Sequence, residues 1–289
     1  MRLFYCLLLV AVCSCNSGKE KKAGSTISSN GVDIAYTKCG NSDTALVFLH
    51  GWCINKEYWE NQVRFFCPRY TVVTMDLPGF GQSGKERENW SFEAYTEDVK
   101  KVINDLNLKK VILIGHSMSG DIILHMDNKY PGMLAGIVGI DNLHQPVEVF
   151  DAQRNKENDA FFKTLQARFD STVKLFMTDF LFQPSTDTAI IRRVMNDVYN
   201  ADSTAATAVL RSNTIISQKE KPMMMGLSHR LYLVNSDVHP INADSLNKYC
   251  KKGFHAELIP GTGHYPMLEK PELFNAALQR VVDSILVRR

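Results

Sequence analysis

Short apolar runs of strand length, separated by stretches of helical periodicity, constrain the fold of this chain more than any other feature. They stand at 45–49, 70–75, 111–114, 134–140, 231–234 and 256–259. Most read as continuous apolar text rather than as an alternation of apolar and polar residues, which is the pattern of strands covered on both faces. Between them, Phe92, Tyr95, Val99, Val102, Ile103 and Leu106 recur at three- and four-residue steps behind Ser91, a good helix N-cap. Phe274, Leu278, Val281, Val282 and Ile285 do the same over 271–286, with Pro271 in the first turn. Strands alternating with helices predict an α/β fold built on a mostly parallel sheet. Upstream, Asn30-Gly31 between two β-leaning runs predicts a hairpin at the start of the globular part.

The strand signal fails between 142 and 222, where the text turns helix-like and aromatic, with Phe150, Phe161, Phe162, Phe169, Phe176, Phe180 and Phe182. This segment reads as a helical insert in one core of 26–141 and 223–289. Its phenylalanines either form the insert's own core or face a ligand pocket beneath a lid. On the second reading, apolar residues of the segment from Phe161 to Phe182, Phe176 and Phe180 among them, shape an acyl pocket that prefers medium apolar chains over charged ones. A length of 289 residues with 45% hydrophobic and 22% charged residues suits one such domain. The formal charge of +2 is too small for a nucleic-acid footprint, so no nucleic-acid partner is expected.

The N-terminus departs from that average. Met1-Arg2 precede the apolar run 3–13 and then Ser14-Cys15-Asn16-Ser17, which are the charged, apolar and small-residue zones of a secretory signal. As a helix the run reaches only about 20 Å, short of a hydrocarbon core of about 30 Å. Val12-Cys13-Ser14-Cys15 resembles a bacterial lipobox, in which a cysteine is diacylated and becomes the first residue of the mature chain. Residues 1–14 are therefore expected to be a lipoprotein signal peptide, Cys15 the lipidated residue, and 15–25 a polar tether. The expected location is the bacterial cell envelope, with the membrane reached only through the lipid, and plain secretion as the alternative. Four cysteines remain: Cys39, Cys53, Cys67 and Cys250. Their spacing suggests no metal site; Cys53 and Cys67 flank a predicted short helix and could pair, while buried free thiols are the simpler reading.

The residues that carry chemistry lie at strand ends. The strand ending at Ile114 runs through Gly115-His116-Ser117-Met118-Ser119-Gly120 directly into a predicted helix. A sharp strand-to-helix turn strains its central residue, and the neighbours two positions away must be small. Ser117 then stands exposed above the sheet, and the Met118 N–H lies at a helix start, where it can stabilise an oxyanion. His50-Gly51-Trp52 follows the strand 45–49 and can aim the Trp52 N–H at the same place. Asp76, ahead of a Pro/Gly-rich loop, is read as part of a tight turn without chemistry. His264 sits between Gly261-Thr262-Gly263 and Tyr265-Pro266, past the last strand, where a general base can approach Ser117. Asp237, after the strand 231–234, is the favoured partner for that imidazole, with Asp141 at the end of the strand 134–140 as the alternative.

In these four ordered motifs, 50–52, 76–83, 115–120 and 261–271, the chain resembles the α/β-hydrolase superfamily, and within it the lidded serine esterases and lipases. The resemblance implies an eight-stranded, mostly parallel sheet flanked by helices, with a helical lid after the sixth strand. It implies a Ser117-His264-Asp237 triad with an oxyanion hole from the Trp52 and Met118 amides, and no metal or organic cofactor. Members that remove halide or open epoxides carry Asp at the nucleophile position, so Ser117 points to acyl transfer from a small-molecule ester. Two positions depart from the pattern: Ser119 replaces the usual Gly after the nucleophile, and the acid loop 235–239 lacks its common Gly. A slow-turnover ligand sensor on the same fold is the second function class; the sequence shows no partner surface for it and does not reveal the oligomeric state.

Overall fold

The computed structural model describes residues 25–287, without the side chains of Ser25, Leu175, Phe176, Thr178, Asp179 and Phe180. The signal-like segment and Cys15 lie outside the described residues. An eight-stranded sheet organises the rest. Its strands are β1 (Ser25–Ser29), β2 (Val32–Cys39), β3 (Ala45–Leu49), β4 (Thr71–Met75), β5 (Val111–His116), β6 (Leu134–Ile140), β7 (Leu231–Ser236) and β8 (Phe254–Ile259), in the spatial order β1-β2-β4-β3-β5-β6-β7-β8. Only β2 runs against its neighbours; every pairing from β4 to β8 is parallel. The β1–β2 hairpin turns at Asn30-Gly31, whose φ values of 48° and 83° are the double left-handed geometry that matches the twist of paired strands.

The strands form because helices cover both of their faces. Every residue of β3, β4, β5 and β6 is buried, as their unbroken apolar text requires. One face carries α1 (Glu60–Phe66) and the last helix, while α2 (Phe92–Asp105) and α3 (Ser119–Lys129) cover the other. The Ser91 hydroxyl caps α2 by accepting from the Ala94 N–H at 3.2 Å. Five helices then separate β6 from β7: α4 (Ala152–Ala167), α5 (Phe169–Leu181), α6 (Thr188–Tyr199), α7 (Ser203–Ser217) and α8 (Glu220–Met225). Three of them start at an aspartate cap, Asp151, Asp187 and Asp202, each accepting from a first-turn amide. After β7 come α9 (Ala243–Tyr249), β8, the one-turn α10 (Pro266–Glu269) and α11 (Pro271–Val287).

Two expectations change here. Cys67 pairs not with Cys53 but with Cys39, the last residue of β2, across a Cα–Cα distance of 5.8 Å; Cys53 and Cys250 are buried free thiols. The reason is topological, because β2 pairs with β4 and so lies over the turn that joins α1 to β4. Asp76 anchors more than its own turn. Fully buried, it accepts from the Lys56 backbone N–H at 2.7 Å, from Lys56 Nζ at 2.9 Å and from the Gln82 N–H at 2.9 Å. That buried ion pair ties the loop after β4 to the segment following Trp52.

Candidate active site

The sheet brings the C-terminal ends of β3, β5 and β6 to one edge, and the site is assembled from their loops. At the tip of β5 the chain enters α3 through Ser117, whose φ of 53° lies in the left-handed region. That conformation costs roughly 1–3 kcal/mol for a residue with a side chain and is tolerated only where the surroundings enforce it. They do so here by close packing: a Cβ on Gly115 would lie 2.5 Å from the Ser119 carbonyl oxygen. Ser119 is itself informative. Its buried hydroxyl donates to the His50 carbonyl at 2.6 Å, a bond that the usual glycine cannot make, and so fastens the elbow to the loop after β3.

That loop is held from its other side by His50. Its Nδ1–H donates to the Gly51 carbonyl at 2.7 Å, and its Nε2 accepts from the Leu77 N–H at 2.9 Å, so the ring is neutral. Burial also lowers the pKa of this imidazole, outweighing the attraction of Asp76. Gly51 lies so close to the elbow that an added Cβ would sit 2.7 Å from His116 Nδ1 and 3.0 Å from Ser117 Cβ. Neither the Trp52 nor the Met118 backbone N–H donates to a protein acceptor among the described residues. Beyond the amide, the Trp52 indole N–H donates to the Ala206 carbonyl in α7 at 2.8 Å.

His264 reaches this edge on the loop after β8. Its Nε2 lies 2.8 Å from Ser117 Oγ and accepts from the hydroxyl, while its Nδ1–H donates to Asp141 Oδ2 at 2.6 Å. The acid beside the imidazole is therefore Asp141, and the expectation of Asp237 is overturned. Asp237 is exposed and its Oδ1 accepts from the Gly261 N–H at 2.8 Å, so it steadies the His264 loop instead. Strand order explains the difference. The neighbour of β5 is β6, in register at His116 and Ile140, and the Ser117 N–H donates to the Ile140 carbonyl at 3.0 Å. The residue after Ile140 is thus beside Ser117, whereas β7 is one strand, roughly 4.8 Å, further away.

Asp141 is fully engaged. Ser236, the last residue of β7, donates to its Oδ1 through both its N–H, at 2.9 Å, and its hydroxyl, at 2.6 Å. Burial would raise the Asp141 pKa, but the facing imidazoles of His144 and His264 and the Ser236 hydroxyl hold the carboxyl well below its usual range. His144 Nε2 stands 3.8 Å from Oδ1, at the edge of this network. Asn142 next to it donates to the carbonyls of Gly115 and Ser117, at 2.8 and 3.0 Å, stitching the β6 loop to the elbow.

Three supporting residues were not anticipated from the chain: His116, Ser236 and Asn142. His116 Nε2–H donates to the His264 carbonyl at 2.8 Å, and burial, with the neighbouring His264 second, pushes its pKa down to about 3. The apolar strand leading into His116 could have marked it as buried, but its partner lies 148 residues away. The His264 loop is also bonded to the inserted helices, since the His264 N–H donates to the Leu181 carbonyl at 2.9 Å.

A cavity of about 300 Å³ opens beside Ser117 and Met118. Met118, Leu143, Val147 and Phe150 form its apolar lining, and the rest is polar. Of the insert's phenylalanines only Phe150 lines it among the described residues. Phe162 is buried beneath Arg211, Phe169 packs 6.1 Å from Trp52, and Phe182 stacks 6.0 Å from Tyr265. The side chains of Phe176 and Phe180 lie outside the described residues. Among the described residues no group of three or more His, Cys, Asp or Glu side chains is placed to hold a metal ion.

A family model described as alpha/beta hydrolase fold matches residues 44–271. A Haemophilus influenzae protein that carries the provisional name esterase/lipase is 26% identical over 248 residues, 83% of either chain. Among solved structures, a thermophilic esterase from Thermogutta terrifontis superposes with a TM-score of 0.77 at 19% identity, covering 91% of this chain and 99% of its own. A bromoperoxidase from Bacillus anthracis also reaches 0.77, at 18% identity, covering 90% of this chain and all of its own. At such identities the superpositions speak for the fold alone.

Proposed function

The chain belongs to the α/β-hydrolase fold family, and from that premise we propose that it is a serine hydrolase cleaving a small carboxylic ester through an acyl-enzyme. The observation that carries the reading is the unbroken hydrogen-bond chain from Ser117 Oγ through His264 to Asp141. In the first step Ser117 Oγ attacks the ester carbonyl and its proton passes to His264 Nε2. Asp141 holds the imidazole in the Nδ1–H tautomer and stabilises the imidazolium that forms. The Trp52 and Met118 amides receive the oxyanion; a single such donor is commonly worth about 3–4 kcal/mol in the transition state. His264 then returns its proton to the departing alcohol, and a water molecule repeats the sequence to release the acid. The inserted helices act as a lid, a role supported by the Trp52 and Leu181 bonds that join them to both loops of the site.

Replacing Ser117 with Ala is expected to abolish labelling by a fluorophosphonate probe and to lower ester turnover by at least ~10³-fold, while the circular dichroism spectrum stays that of the wild type. Retained labelling would refute the assignment. The protein is further read as a lipoprotein of the bacterial cell envelope, anchored through Cys15. The Cys39–Cys67 disulfide supports an oxidising compartment.

A further inference from the structure

The cavity beside Ser117 contains two buried acids that the proposed mechanism does not use. Asp121, in the first turn of α3, and Glu220, in the first turn of α8, are 4% and 6% exposed and both line it. Each has an oxygen engaged by the helices or loop around it. Asn213 of α7 donates to Asp121 Oδ2 at 2.8 Å, and the Val147 N–H donates to Glu220 Oε2 at 2.7 Å. The other oxygen of Asp121, Oδ1, is buried and receives no hydrogen bond from an amide, a hydroxyl or a cation; the group facing Asp121 is the Glu220 carboxyl. No Lys, Arg or His forms an ion pair with either acid among the described residues: nearby Lys219 pairs with Glu93, Lys221 with Glu148 and Arg211 with Asp159.

Two carboxyl groups buried without a cation are costly for a fold to keep. Burial first, and the neighbouring Glu220 second, push the Asp121 carboxyl well above its usual range; burial pushes Glu220 up to about 7. Two adjacent carboxyl groups thus line a cavity that Ser117 also lines. A cation entering the cavity would give Asp121 Oδ1 a charged donor and favour the ionised form of both acids.

We propose that Asp121 and Glu220 form a cation subsite of the active-site cavity, so that the preferred substrates are small esters carrying a protonated amine. This rests on the serine-hydrolase reading and names its substrate class. The amine is held at the acids while the ester carbonyl lies at Ser117, and Leu143, Val147 and Phe150 cover the short carbon linker between them. A volume of about 300 Å³ admits a linker of only a few carbons.

The test compares isosteric esters that differ in charge. Methyl 3-aminopropanoate is set against methyl butanoate, and 2-(dimethylamino)ethyl acetate against 3-methylbutyl acetate, which place the amine on the acyl and alcohol sides respectively. In the wild-type protein one amine ester is expected to exceed its neutral isostere at least tenfold in kcat/KM. That ratio is expected to fall to within about twofold in Asp121→Asn and in Glu220→Gln, both checked for folding by circular dichroism. Equal rates for both pairs in the wild-type protein, or a ratio that survives in both folded variants, would overturn the subsite. Methyl 3-hydroxypropanoate outrunning both methyl esters would overturn it too, in favour of a neutral donor. Calorimetry on Ser117→Ala with the same four esters separates the two readings: selective binding of an amine ester without turnover by the wild type would leave the subsite standing and remove the hydrolase, and no selective binding would remove the subsite.

Discussion

Asp141 and Asp237 show how two aspartates at neighbouring strand ends acquire different duties from their surroundings. Asp141 is buried, with one oxygen on the His264 imidazole and the other on Ser236, so every proton it could take up would break a hydrogen bond. Asp237 is exposed and holds only the Gly261 amide. Asp141→Asn is expected to lower kcat by about 10⁴-fold, because an amide cannot stabilise the imidazolium and can impose the wrong tautomer. Asp237→Asn preserves an acceptor for Gly261 and is expected to stay within a few-fold of wild type. Steady-state kinetics on both variants, with thermal unfolding as a check, decides it; a severe loss in Asp237→Asn with Asp141→Asn intact would restore the opposite assignment. Ser119, which departs from the resemblance, is explained at the same scale by its bond to the His50 carbonyl.

At the scale of elements, segments following five strands meet over one sheet edge and are bound to one another by buried side chains. His50 joins the β3 loop to the β4 loop, Asn142 joins the β6 loop to the elbow, and His116 joins the end of β5 to the loop after β8. The last of these braces is sensitive to acid. The His116 pKa is about 3 in the folded protein against 6.5 for the free side chain, so between those values the unfolded chain binds more protons at this position. Its stabilising contribution is complete above pH 6.5 and is lost as the pH falls toward 3, by up to ~1.4 kcal/mol per pH unit. His116→Gln retains an N–H for the His264 carbonyl and does not titrate. Urea unfolding of both proteins between pH 7 and 4 should therefore show wild type losing stability more steeply than the variant; parallel curves would mean that His116 titrates normally.

For the whole molecule, the sheet and its flanking helices form the core, and the five helices between β6 and β7 are joined to the loops around the site through a few specific bonds. Tyr58 donates to Asp197 of α6 at 2.8 Å, Trp52 to Ala206 of α7, and His264 to Leu181 of α5. Where the molecule resides is a separate matter, tested at the proposed anchor, Cys15. Cys15→Ser is expected to abolish palmitate incorporation and either to move the protein out of the membrane fraction or to leave it uncleaved. A mature, unlipidated N-terminus well downstream of Cys15 would refute the anchor.

The fold class, the strand positions, the elbow at Ser117 and the loop that carries His264 were legible in the chain because each is written locally. Apolar runs mark buried strands, small residues flank a strained turn, and Asn-Gly marks a hairpin. The Asp141 pairing, the Cys39–Cys67 bridge, the His116 brace and the acids at the cavity were decided only by tertiary structure. Each depends on which strands or helices become neighbours: β6 rather than β7 beside β5, β2 over the α1–β4 turn, α8 against α3. Sequence distance carries no information about such contacts, since partners 123 residues apart in Asp141 and His264 are brought together by the order in which parallel strands pack.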